Sequence, residues 1–150
     1  MKITKEVLTQ IEKIANSKDV EIGGILGFGE NEIVSYVIAD LPDDSVGCRF
    51  DYYPNITFLN EQIEKWAEQG IDFAGFFHTH FSGSQNLSDT DKVYINAIMI
   101  SSKDIVDCLF FPVFTLPDNK LNIYKACFQG EGIVIEKDEL DIVWNETPET

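Results

Sequence analysis

The chain has 150 residues, enough for one domain that buries roughly two-thirds of its unfolded surface without needing a disulfide or a metal to fold. Hydrophobic residues at 44% and charged residues at 25% are globular proportions and exclude extensive disorder. With 26 acidic against 11 basic residues the net charge is −15, which argues against nucleic acid or an anionic membrane as the main partner.

In chain order, Val7, Leu8, Ile11, Ile14 and Ala15 recur at helical spacing, predicting an amphipathic helix over residues 4–17. The glycine-rich apolar run from Glu21 to Phe28 reads as a buried strand. A turn at Gly29–Asn31 leads into an alternating strand, Ile33–Asp40, so the pair forms a hairpin. Leu41–Pro54 carries turn chemistry and reads as a long loop. Ile56, Leu59, Ile63, Trp66 and Ala67 define a second helix stopped by Gly70. The strand Ile71–His80 is apolar on both faces, which places it inside a sheet rather than at its edge. A polar loop follows, then a third helix from Ser88 with Val93, Ile95, Ala97 and Ile98 as its inward positions. Cys108–Leu116 and Leu121–Phe128 are strands joined by a turn at Pro117–Asn119, and one more apolar run covers Ile133–Ile135. Seven acids against one lysine in the last twenty residues read as a solvated tail. The order is that of one α/β domain with a mixed sheet.

Cys48, Cys108 and Cys127 are odd in number, widely spaced and lack a Cys-x-x-Cys pair, so they read as buried reduced thiols in a reducing compartment. The amino-terminal stretch has no continuous apolar core of the signal-peptide kind, and no apolar run reaches membrane-spanning length. The expected location is cytoplasmic.

The only histidines, His78 and His80, stand at i and i+2 on the strand ending at residue 80, so both project from one face. Two imidazoles side by side at a strand end suit a divalent metal, against the plainer reading of one surface and one core residue. Ser88 and Asp91 share a face at the start of the third helix, where a capping arrangement is the plainer reading. Both readings are compatible. With two histidines, a three-histidine site is excluded. His-Glu-x-x-His, His-x-His-x-Asp-His and the deaminase Pro-Cys-x-x-Cys are absent. What survives is a site of two histidines and a carboxylate, Asp91 with Asp89 also conceivable, holding zinc or non-haem iron with a position left open. Glu21, Glu30 and Glu32 stay open as a general base.

His78-Thr79-His80, seven residues, then Ser88-x-x-Asp91, preceded by Glu21 in EIGGILGFG, resembles the signature of the JAMM metalloproteases, also called MPN+ or JAB1/MPN/Mov34. The resemblance runs from the first helix to the strands beyond Asp91. It departs at Phe81, where the family commonly has proline. It implies a single MPN (JAB)-like α/β domain over residues 1–135, a mixed sheet flanked by helices in a cytidine-deaminase-like architecture, with an acidic tail over 136–150. It also implies Zn²⁺ held by His78, His80 and Asp91, Glu21 as general base, and Ser88 as oxyanion donor. The implied reaction is hydrolysis of an isopeptide or peptide bond at the C-terminus of ubiquitin or a ubiquitin-like protein. Processing of a sulfur-carrier protein or short peptide is an alternative, and a non-catalytic scaffold a third. Tyr52, Tyr53 and Phe81 are the aromatic candidates for gripping an extended tail.

Overall fold

Thr4 opens the first helix by accepting a hydrogen bond from the Val7 amide on its side chain, and α1 (Lys5–Ala15) buries Val7, Leu8, Ile11 and Ala15. The computed structural model describes residues 1–17, 20–40, 55–81, 87–116 and 118–144. The expected loop over 41–54, with Cys48, Tyr52 and Tyr53, lies outside them, as do residues 82–86 and 145–150.

Among the described residues, eight strands form one sheet: β1 (Lys2–Thr4), β2 (Gly23–Phe28), β3 (Ile33–Asp40), β4 (Asp72–His80), β5 (Cys108–Thr115), β6 (Lys120–Gln129), β7 (Gly132–Asp138) and β8 (Asp141–Val143). Their spatial order is β7-β6-β5-β4-β2-β3-β1-β8. Helix α2 (Ile56–Glu68) lies between β3 and β4 in the chain, and α3 (Asp89–Ser101) is the crossover between the parallel strands β4 and β5. Only Glu139 and Leu140 separate β7 from β8, yet these are the two edge strands. Three Cα steps span at most about 11 Å, so the sheet curls until its edges nearly meet.

Two apolar cores result. On one face α1 packs with Leu26, Phe77 and Phe114; on the other, Ile25, Phe76, Phe111 and Val113 pack with Leu59 and Trp66 of α2 and Ile95 and Met99 of α3. Strand β4 feeds both, alternating Phe76, His78 and His80 with Phe77 and Thr79, and it lies inside the sheet as its apolar pattern predicts. Gly75 permits this: a Cβ there would run into the Phe110 backbone carbonyl of β5.

Three expectations need correction. Cys108 and Cys127 are not thiols but a disulfide, because the antiparallel β5–β6 register sets them directly opposite with Cα atoms 4.2 Å apart. Cysteine spacing therefore no longer marks a reducing compartment. On α3, Val93 is 67% exposed and Ala97 is also on the solvent side, while the buried stripe is Ile95 and Met99. Finally, the boundary expected at residue 135 falls inside β7, and β8 pairs in parallel with β1, so residues 136–143 belong largely to the sheet. Acidity of that segment reflects its solvent side and not a detached tail. Among the described residues no helix is long and apolar enough to cross a membrane.

The disulfide closes a segment with a sequence separation of 19, for which the chain-entropy estimate is about 3 kcal/mol. Thiol titration of the denatured protein is expected to find two more free thiols after reduction than before, and reduction to lower the melting temperature. Equal thiol counts would remove the cross-link.

Candidate metal centre

The sheet ladder places His78 and His80 where β4 ends. Gly23 of β2 pairs with His78, and one residue further the Thr79 amide donates to the Ile22 carbonyl at 2.9 Å. The Ile22 amide donates in turn to Thr79 Oγ1 at 2.9 Å, which satisfies a hydroxyl that is fully buried. Glu21 directly precedes Ile22, outside the β2 ladder. Glu21 is half-buried there. Glu30 and Glu32 sit beyond the far end of β2, exposed and away from the histidines.

Helix α3 supplies the carboxylate. Ser88 is its N-cap and forms a complete capping box: Ser88 Oγ accepts from the Asp91 amide at 3.0 Å, and the Ser88 amide donates to Asp91 Oδ2 at 2.9 Å. The plainer reading of Ser-x-x-Asp is thus correct, and the same carboxylate also meets the histidines. Asp91 Oδ1 lies 3.2 Å from His78 Nε2, and Oδ2 lies 3.1 Å from His80 Nε2. The two Nε2 atoms are 3.0 Å apart. Asp91 faces inward because it heads the stripe continued four and eight residues later by Ile95 and Met99. Asp89, two residues earlier, is exposed.

Burial opposes ionisation of Asp91, but hydrogen bonds from His78 and His80, the His78 charge and the Ser88 amide outweigh it and hold the carboxyl far below the usual carboxylate range. The donor set also fits a metal. One ligand atom from each of His78, His80 and Asp91 lies within 4.8 Å of the others. Bonds of about 2.0–2.1 Å in a tetrahedron imply ligand atoms roughly 3.3 Å apart, close to the 3.0–3.2 Å observed. Two imidazoles and a carboxylate on one side, with further positions open, suit a divalent ion such as zinc.

Two nearby residues carry no signal in the sequence. Tyr124 of β6 is buried on the same face, and burial together with the Asp91 charge pushes its phenol up. Asn122 lies in the cross-strand row running from His78 through Val113, and its Nδ2 is buried without a hydrogen-bond partner among the described residues. A donor left this way costs about 1–3 kcal/mol. Only the ladder register brings either residue near the histidines, and a linear reading does not contain it.

Compared with known proteins, the chain matches no family profile and no curated protein sequence. Solved structures do match. The solution structure of protein DSY2949 from Desulfitobacterium hafniense superposes with a TM-score of 0.62 at 15% identity, covering 97% of this chain and 92% of that one. The crystal structure of AF2198, a JAB1/MPN domain protein from Archaeoglobus fulgidus, superposes with a TM-score of 0.51 at 20% identity, over 95% and 99% of the two chains. The fold is a mixed α/β domain of the JAB1/MPN kind. The cluster of His78, His80 and Asp91 adds to that fold a group able to hold a divalent metal.

Thr79→Val is expected to leave the Ile22 amide unpaired, to cost about 1–3 kcal/mol of stability, and to loosen the backbone that carries Glu21. Chemical denaturation and backbone NMR shifts at residues 21–23 check this. Unchanged stability would mean that water replaces the hydroxyl without loss.

Proposed function

We propose that the protein is a JAMM-type, zinc-dependent hydrolase of amide bonds, acting on isopeptide or peptide bonds at the C-terminus of ubiquitin or a ubiquitin-like protein. The observation that carries this reading is the convergence of His78, His80 and Asp91 at one sheet end, with Asp91 locked by the Ser88 capping box. His78, His80 and Asp91 would hold Zn²⁺, which when bound would supply Lewis-acid activation of water near neutral pH. Glu21, two residues ahead of β2, takes the proton of the attacking water and hands it to the departing amine, which cannot leave as an amide anion. Ser88 Oγ accepts from the Asp91 amide, and its own O–H is the donor to the oxyanion of the tetrahedral intermediate in this reading.

A scaffold role has no use for this cluster, whose atoms already stand at ligand-to-ligand distances. Processing of a sulfur-carrier protein or short peptide uses the same chemistry and differs only in substrate.

Zinc-loaded protein is expected to cleave a fluorogenic amide at the C-terminus of a ubiquitin-like protein and to stop when a chelator is added. Glu21→Gln should retain one equivalent of metal and lose about 10²–10⁴-fold in rate. Ser88→Ala should lose about 10²–10³-fold. Full activity in Glu21→Gln would overturn the mechanism, and cleavage that survives both chelation and Asp91→Ala would overturn the metal's role.

A further inference from the structure

Beside the metal cluster, towards β6 and β7, lies an open pocket of about 360 Å³ lined by Leu87, Lys92, Tyr124, Ile135 and Lys137. It adjoins the site through the chain itself, since Leu87 precedes the Ser88 cap and Lys92 follows Asp91. Its floor belongs to the histidine face of the sheet: Tyr124 pairs with Phe111 on β5 and with Lys137 on β7, and Ile135 pairs with Ala126. Lys137 Nζ stands 6.0 Å from the Tyr124 ring centre. Two lysines and a tyrosine therefore line this pocket, and among the described residues no acid is in its lining, in a chain whose acids outnumber its bases 26 to 11. Lys92 and Lys137 bring ammonium donors to this pocket, and donors of this kind select an anion.

We propose that this pocket is a substrate subsite that recognises a carboxylate held next to the scissile amide, either the free C-terminal carboxylate of the leaving segment or an acidic side chain beside the bond. This deepens the hydrolase reading and rests on it for the word substrate. Lys92 and Lys137 are the specificity-determining residues, and the Tyr124 ring forms part of the pocket wall between them. The net charge of −15 repels anions from the molecule as a whole, so a preference for a carboxylate has to come from a local arrangement.

The test uses zinc-loaded full-length protein and three blocked tripeptides: acetyl-Gly-Gly-Gln with a free C-terminus, acetyl-Gly-Gly-Glu amide, and acetyl-Gly-Gly-Gln amide. Affinities are read by NMR titration. At least one carboxylate peptide should bind about tenfold more tightly than the neutral one, the size expected of one charge-assisted contact. The first peptide reports a terminal carboxylate and the second a side-chain one. The preference should vanish in Lys92→Gln/Lys137→Gln and persist in Lys92→Arg/Lys137→Arg. Equal binding of all three peptides, no binding of either carboxylate peptide, or a preference that survives in the double Gln variant overturns the proposal; the last result would place the carboxylate on the metal. Because the readout is binding, failure to cleave a ubiquitin-like substrate would count against the hydrolase reading and leave this result standing.

Discussion

The Asp91 carboxylate does two jobs with one pair of oxygens. It closes the capping box that starts α3, and it meets both histidines at the end of β4. A helix cap is ordinarily a local device that satisfies orphan amides at the first turn. Here it also ties the crossover helix to the strand that precedes it. Orientation of the carboxylate is thereby set by the backbone amide of Ser88 and not by a flexible side-chain torsion alone. A site built this way is held at ligand-to-ligand distances by the same bonds that hold the fold, which is what preorganisation requires.

The sheet does the rest of the positioning. β4 is buried on both faces, with phenylalanines alternating into two separate cores, and the last turn of the alternation exchanges phenylalanine for histidine without changing face. Gly75 lets β5 approach closely enough for this register. Across the ladder, the face that carries His78 and His80 continues through Val113 and Phe111 to Asn122, Tyr124 and Lys137. The cluster of His78, His80 and Asp91 and the lysine-lined pocket are thus neighbouring parts of a single surface. In a chain of net charge −15, that surface gathers positive charge locally next to the site.

Much of this was legible from the order of residues, wherever a local rule sufficed. Helical spacing located α1 and α2, period-two alternation put both histidines on one face, and Ser-x-x-Asp announced the capping box. The α3 stripe was harder to read. Its sequence is apolar on more than one side, so Val93 and Ala97 looked as inward as Ile95, and only contact with the sheet distinguishes them. The cysteines were misread for a related reason. Spacing in the chain says nothing about which residues a β5–β6 register will set opposite each other. The segment after residue 135 looked like a tail because acidic residues dominate it, yet an edge strand keeps its backbone bonds whatever its outer side chains carry.

What the sequence alone determined is the chemistry available: two histidines, an acid three residues after a capping serine, a glutamate opening a glycine-rich strand, and a scarcity of positive charge. Each follows from local spacing, which reaches about one helical turn or one pleat. Only the tertiary structure decided that Asp91 and not Asp89 completes the cluster, and that Asn122 and Tyr124 lie on the same sheet face as the histidines. Those choices depend on strand register and on which helix stripe the core buries, and both are settled by contacts between residues far apart in the chain.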